Sequence, residues 1–200
     1  SNWSYLEKGS RRLTTAGRKA KVALIQRDAF SATWSITHRL RVPVSLTDDR
    51  RRRSRRTTAL TIVSEVTCRA GSPRIDVTTR VTNTAKDHRL RALFPVGIAT
   101  NTVDVDGHFA FLERSAELPP ARELPPYPTQ HQGRFVSLRD DASGFAVIND
   151  GLPEFEALRD GASCGIALTL FRSVGWLSRN DYPTRRVHAG PPLPVPGAQC

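Results

Sequence analysis

Two arginines within residues 84–97 have a spacing that suits the binding of anionic or hydroxyl-bearing groups. After Asp87, charged and apolar residues alternate, and Arg89 and Arg91 are separated by one residue. In an extended strand, side chains two residues apart project from the same face about 7 Å apart. Both guanidinium groups could therefore hold carboxylates or sugar hydroxyls. The same alternation also fits a plain β-strand with one salt-bridged face, and the spacing does not choose between these readings.

Paired carboxylates, which can perform general acid–base chemistry, occur three times. The pairs are Asp104/Asp106, Asp140/Asp141 and Glu154/Glu156. The first pair precedes Gly107 and is typical of a turn at a strand end, where aspartates cap their own backbone; a cation or sugar contact is the alternative. The second pair indicates a hairpin loop. The third flanks Phe155 on a strand, and we expect it to face solvent or an arginine.

A second basic feature is a run of six arginines in seven positions at residues 50–56, in a chain of net charge +11. Such charge is typical of proteins that bind nucleic acids or anionic surfaces. The run, however, lacks interleaved aromatic residues for base stacking, and no predicted helix could carry it into a groove. We therefore expect a solvated hairpin tip and no specific nucleic-acid partner, with polyanion binding as the alternative.

The segment at residues 172–181, RSVGWLSRND, combines groups that could contact a sugar. Gly175 permits a tight bend after a strand, and Trp176 offers a flat apolar face of the kind that stacks on sugar rings. Arg172, Arg179 and Asp181 stand on either side of it. The alternative is structural, with the indole buried and Arg172 in a salt bridge.

The remaining composition excludes several classes of protein. Cys68, Cys164 and Cys200 have neither metal-ligand spacing nor the pattern of a disulfide framework, so we expect buried thiols in a reducing cytoplasm. No apolar run approaches the roughly 20 residues that span a bilayer, so we expect no membrane partner. The chain contains no Met, and we expect it to be an excised piece of a longer protein.

The elements that position these residues are predicted to be strands. Alternating patterns rich in β-branched and aromatic residues cover residues 21–27, 31–46, 57–69, 74–83, 84–94, 109–114, 135–138, 144–149 and 166–171. Pro95 and Gly97 are predicted to end the fifth strand, with a turn at residues 99–106. Because no apolar period of 3.6 residues is sustained, we expect little helix. The pattern predicts an all-β protein with an antiparallel meander in a two-layer sandwich.

The expected organisation has three parts. Residues 1–20 form a connecting segment, residues 21–182 the β-sandwich domain, and residues 183–200 a proline-rich tail that leads to a truncated segment. A proline-rich crossing at residues 118–128 is expected to run over the surface between two sheets.

Several strings in this sequence occur together in a known family. They are TAKDHRLRALFPVG from residue 84, YPTQ from residue 127, GFAVINDGLPEFEAL from residue 144 and FRSVGWLSRND from residue 171. In this order they resemble the C-terminal β-domain of bacterial glycoside hydrolase family 38, which contains α-mannosidases and mannosylglycerate hydrolases. The resemblance extends from about residue 84 to the end, and more loosely back to Trp3. It implies a large, twisted antiparallel β-sandwich of the galactose-mutarotase-like kind.

The resemblance also implies where the chemistry lies. Family 38 enzymes carry an Asp nucleophile and a zinc-type divalent metal site with a His-x-Asp motif in an N-terminal barrel. No histidine here has Asp two residues on, so we expect no catalytic residue, metal ligand or cofactor in this chain. An arginine near the family's substrate pocket is best matched by Arg172. The other expected substrate-proximal residues are Trp176, Arg179 and Asp181, with Arg89, Arg91, Tyr127 and His131 as weaker candidates.

The function expected from the resemblance is therefore indirect. We expect a non-catalytic domain that braces the catalytic barrel of an α-mannosidase-type hydrolase and completes one wall of its sugar pocket. Its partners would be the protein's own barrel domain and an α-mannoside, in mannose metabolism. The fragment alone should not hydrolyse glycosidic bonds. The alternative is a stand-alone module that binds carbohydrate or polyanions.

Overall fold

The computed structural model describes residues 12–49, 51–120 and 127–173, and these ranges contain twelve β-strands and no helix. The predicted all-β class and antiparallel pairing are confirmed. By its internal contacts, the chain divides into two compact units, residues 1–88 with 173–200, and residues 89–172. Across the described ranges, no helix is long and apolar enough to cross a membrane.

The first unit contains a four-stranded antiparallel meander in chain order. Its strands are β1 (Lys21–Arg27), β2 (Ser31–Pro43), β3 (Thr57–Arg69) and β4 (Ile75–Thr82). The predicted strands agree with these bounds to within one residue at each end, except that β2 ends three residues before residue 46. After Pro43 the chain leaves the sheet, and Leu46 forms an isolated bridge with Arg53 at the base of the arginine-rich hairpin.

The second unit contains two four-stranded sheets. The first has the order β5 (His88–Ala99), β12 (Ser163–Ser173), β11 (Glu154–Asp160) and β8 (Thr129–His131). The other has the order β10 (Gly144–Ile148), β9 (Phe135–Arg139), β6 (Thr102–Gly107) and β7 (Ala110–Ser115). The terminal residues His88 and Ser173 of β5 and β12 are grouped with the first unit.

A shared apolar core joins the two sheets of the second unit. Val105 and Val136 come from one sheet, Phe155 and Ile166 from the other, and none of the four exposes any surface. Because side chains alternate along a strand, the neighbours of these residues are forced to the outer faces of the sheets. The unit is therefore a two-layer sandwich with two outer faces of different composition.

Three predictions about the fifth strand and its surroundings are wrong. Strand β5 begins at His88 and not at residue 84, directly after Asp87, whose φ of 57° is left-handed. The strand belongs to a sheet of the sandwich and not to the meander. It continues through Pro95 and Gly97 to Ala99. A proline is tolerated there because β5 lies at the edge of its sheet.

The predicted turn at residues 99–106 is also wrong. Residues 102–107 form strand β6, which places Val103 and Val105 in the core and Asp104 and Asp106 on the outer face. Asp104 forms an ion pair with Arg139 at 3.1 Å instead of capping a turn. The aspartates at 140 and 141 do lie in a hairpin loop, where the Asp140 carboxylate accepts a backbone hydrogen bond from Ser143 at 2.7 Å.

Close packing of β5 against β12 yields the first testable prediction. A Cβ atom added to Gly165 would lie 2.6 Å from the backbone oxygen of Phe94, whereas one added to Gly144 would meet nothing closer than 3.7 Å. We expect Gly165→Ala to lower the free energy of unfolding by about 1–3 kcal/mol, because backbone must move. Gly144→Ala is the matched control and should change it by less than about 0.5 kcal/mol. Equal effects in urea unfolding would contradict this packing.

Candidate functional site

The outer face of the β5–β12–β11–β8 sheet carries five charged side chains, which we call the arginine–glutamate cluster. They are Arg89 and Arg91 on β5, Glu154 and Glu156 on β11, and Arg172 near the end of β12. Since Phe155 is fully buried, the glutamates on either side of it must point outward. The sequence therefore places two carboxylates side by side on a partly shielded surface.

Glu154 is the most heavily engaged member of the cluster. Its Oε2 pairs with Nη2 of Arg172 at 2.6 Å, and its Oε1 accepts a hydrogen bond from Nε of the same guanidinium at 3.1 Å. The Thr169 hydroxyl donates to Oε1 at 2.6 Å, and Nη1 of Arg89 approaches it at 3.4 Å. The two-point contact fixes the plane of the Arg172 guanidinium.

Glu156 holds the other two arginines. Its Oε2 pairs with Nη1 of Arg91 and lies 3.8 Å from Nη2 of Arg89. Both arginines reach over β12 to do so, and Ala167, the Cα partner of Glu156 on that strand, presents only a methyl group. The plain reading of the Arg89–Arg91 alternation, a strand with a salt-bridged face, is confirmed.

The two charged partners at the centre of the cluster stabilise each other's ionised form. Burial alone would raise the pKa of Glu154, but hydrogen bonds from Thr169 and Arg172, together with the charges of Arg172 and Arg89, hold it below 4.5. Burial alone would lower the pKa of Arg172, but hydrogen bonds with Glu154 and Tyr127 raise it above its usual value. Both groups are therefore charged throughout the neutral pH range.

Two weaker candidates lie at the edge of this cluster. Tyr127 hydrogen-bonds Arg172, and its side chain remains half-exposed. His131 is the Cα partner of Glu154 on β8, and its ring stacks on that of His108 with centroids 5.5 Å apart. On the same strand, the hydroxyl of Thr129 accepts a hydrogen bond from Nη1 of Arg89 at 3.1 Å.

The structure thus brings together five of the eight residues proposed from the sequence. They are Arg89, Arg91, Tyr127, His131 and Arg172. The other three, Trp176, Arg179 and Asp181, lie outside the described residues, as do the proposed tail and Cys200. The roles of all eight at a substrate pocket stay predictions.

A cleft of about 360 Å³ opens beside Glu156 in the same unit. Its lining includes Gln130 on β8 and Arg159 on β11 together with residues 116–118. Arg159 forms an ion pair with Glu117 at 3.5 Å across the cleft. The surface next to the cluster is therefore concave and combines apolar side chains with this ion pair.

The arginine run belongs to the first unit, and none of the five residues of the cluster lies in it. Among the described residues, no three His, Cys, Asp or Glu side chains form a group that could hold a metal ion. In the first unit, Arg53 is not a freely solvated member of the run, because its guanidinium donates to the backbone oxygen of Asp87. Cys164 is buried, as expected, whereas Cys68 is half-buried.

Glu154 and Glu156 face arginines, as the sequence predicted, whereas sequence reasoning missed Thr169. The glutamates carry a readable signal, since two carboxylates flank a large apolar residue on a strand. Thr169 carries none, because a threonine in an otherwise apolar strand has many possible roles. Its hydroxyl becomes informative only when β12 is paired with β11 in the observed register.

Two packed antiparallel sheets, with the arginine–glutamate cluster on one outer face, make the second unit an all-β sandwich. Residues 2–183 match the family described as "Glycosyl hydrolases family 38 C-terminal domain". The chain belongs to this family.

Comparison with individual proteins agrees with this assignment. A relative from Halalkalibacterium halodurans named "Putative mannosylglycerate hydrolase" is 33% identical over 180 residues, which are 83% of this chain and 20% of that protein. The crystal structure of an alpha-mannosidase from Enterococcus faecalis matches with a TM-score of 0.74 and 30% identity over 82% of this chain. A second family 38 structure from that organism gives 0.72 and 29%. The chain spans about a fifth of the length of these relatives.

The lowered pKa of Glu154 gives a test of the cluster. The unfolded glutamate binds a proton near pH 4.5 and the folded one only below that, so its contribution to stability is present above pH 4.5 and is lost as the pH falls through the folded pKa. We expect Glu154→Gln to lower the free energy of unfolding at pH 7 by about 1–2 kcal/mol, because charge-assisted hydrogen bonds are weakened.

The measurement is urea unfolding of both proteins at pH 7 and near pH 3.5. The difference between them should shrink at the lower pH, which lies below the pKa of 4.5 of the unfolded carboxylate, so that part of the stabilisation by charge is lost. A difference that is the same at both pH values would show that the charge of Glu154 does not stabilise the sandwich.

Proposed function

We propose that this domain braces the catalytic barrel of its parent α-mannosidase and contributes Arg172 to the sugar-binding pocket. The observation that carries the proposal is the two-point clamp of Glu154 on the Arg172 guanidinium. A guanidinium held in one plane loses little conformational freedom when it binds a ligand, and it can offer paired hydrogen bonds to hydroxyls or to a carboxylate. Its side chain is still 35% exposed, so a ligand could reach it.

The same contacts argue that the cluster is not itself catalytic. The acid of a glycosidase must hold a proton near neutral pH, and enzymes achieve this by raising its pKa. Here the pKa of Glu154 is held below its usual range. Glu156 pairs with Arg91, so both carboxylates are engaged by arginines within the cluster.

The chemistry would then belong to the rest of the parent protein. In this proposal the barrel supplies the paired carboxylates and the zinc-type metal, and this domain supplies a positioned cation at the pocket wall. The substrate would be an α-mannoside, and the mannosylglycerate hydrolase relative suggests one with a carboxylate that Arg172 could bind. The proposed location is the cytoplasm.

Kinetics of the full-length enzyme test the role of Arg172. We expect Arg172→Ala to lower kcat/KM by roughly 10- to 150-fold, since losing a hydrogen bond to a charged group typically costs about 1.5–3 kcal/mol. Arg172→Lys should recover little of it, because an ammonium group cannot bind at two points. The matched control is Arg80→Ala, which removes an exposed strand arginine from its single ion pair with Glu65 and should leave kcat/KM unchanged.

Stability measured on the same variants separates a functional from a structural role. A purely structural Arg172 would lower the unfolding midpoint while kcat/KM stays at the wild-type value, and that result would contradict the proposal.

The isolated 200-residue chain provides a second test. We expect it to release no product from aryl α-mannosides, with or without added zinc, because the carboxylate pair and metal ligands lie elsewhere in the enzyme. Turnover that co-purifies with this chain through two unrelated chromatographic steps would overturn the proposal that the domain is non-catalytic.

A further inference from the structure

Phe109 occupies an unfavourable position at the tip of the β6–β7 hairpin. It is the second of two residues between the paired Gly107 and Ala110, and its φ of 63° is left-handed. His108, the first residue of the turn, has no positive φ. This pattern of signs is that of a type II turn, in which Gly or Asn is favoured at the second position. A bulky residue with left-handed φ is a genuine outlier.

Among the described residues, no packing of the Phe109 side chain offsets this strain. It is fully exposed to solvent. Its one ring contact among the described residues is with His108, at 6.3 Å between centroids and tilted. Local backbone preference and hydration both disfavour phenylalanine here, and strain of this kind points to function when it is observed directly.

Other large apolar side chains are exposed on the same sheet. Phe111 on β7 pairs with Asp106 on β6, and Ile148 on β10 pairs with Phe135 on β9. The β6–β9 register therefore places these four residues in one row across the outer face. Phe111 is 81% and Ile148 76% exposed, and the rings of Phe111 and Phe135 lie 5.4 Å apart. We call the three apolar residues of this row, Phe111, Phe135 and Ile148, together with Phe109 in the adjoining hairpin turn, the aromatic patch.

We infer that the aromatic patch is the surface on which this domain docks against the part of its own polypeptide that lies outside these 200 residues, with Phe109 as the anchor. The inference rests on the proposed function, since it requires a longer parent enzyme. The chain corresponds to about a fifth of its relatives, so a large protein surface is covalently available to cover the patch. Exposed apolar patches of this kind mark interaction sites, and aromatic anchors dominate their energetics.

A protein surface fits the patch better than a sugar does. A sugar site needs polar groups beside the aromatic face to hold hydroxyls. Asp106 is the polar side chain in the row, and its Oδ2 already accepts the backbone N–H of Arg134 at 2.9 Å. The row thus offers mainly apolar surface, which suits burial against other apolar side chains.

The sign of a stability change in the full-length enzyme tests this inference. If Phe109 were free, Phe109→Asn would relieve strain and remove exposed apolar surface, so Tm would rise or stay constant. If Phe109 is docked, we expect Tm at a fixed scan rate to fall by at least about 2 °C. Proteolytic release of the domain should also be faster, with KM unchanged. Ile148→Thr, which involves no strained residue, should act in the same direction.

Phe30→Asn is the matched control, because Phe30 is 75% exposed in the β1–β2 turn without a positive φ. It should leave both Tm and proteolysis unchanged. A Tm that rises or stays constant for Phe109→Asn overturns the inference. So does an increase in KM for the mannoside at constant Tm, which would identify a sugar as the occupant. Neither result affects the kinetic test of Arg172, so the proposed function would be judged separately.

Discussion

The alternation of side chains along β11 is the constraint on which the second unit depends. Phe155 must fill the core, and this forces Glu154 and Glu156 onto the opposite face. Both carboxylates are only about a fifth exposed, so an unpaired charge at either position would be costly. Three arginines from β5 and β12 satisfy this requirement. The charged face follows directly from the packing of one aromatic ring.

The network that results also determines how rigid the sheet is. Apolar burial holds the inner face together without directional preference. On the outer face, Glu154 accepts hydrogen bonds from two different residues of β12 and one of β5, each with a required geometry. A guanidinium supported in this way is positioned before a ligand arrives, which is the property that a binding residue needs. Structural support and ligand binding are therefore not exclusive roles for Arg172, since the first makes the second more effective.

Local pattern predicts most strands here, but it does not predict their partners. The bounds of β1 and β3 follow from alternation alone, and the shared face of Arg89 and Arg91 follows from their spacing. The register that joins them to glutamates 65 residues away is set by packing of the whole unit and has no local signal. The strand end predicted at Pro95 was wrong because the missing N–H of a proline destabilises a central strand but not an edge strand. Whether a strand lies at an edge is a property of the sheet and not of the local sequence. The Asp104/Asp106 pair was predicted wrongly because aspartates just ahead of a glycine, here Gly107, are common both in turns and on solvated strand faces.

The two outer faces of the sandwich differ in how far their side chains find partners within the domain. This difference suits them to different ligands. On the charged face, each carboxylate already has its cations, so the face is stable in water and changes little when a polar ligand approaches. On the aromatic patch, the ring contact between Phe111 and Phe135 leaves most of the apolar surface exposed, and Phe109 adds backbone strain. A polar network can be completed within one domain, whereas exposed apolar surface is relieved only by another surface. The charged face is thus suited to a small polar ligand, and the aromatic face to a permanent protein contact.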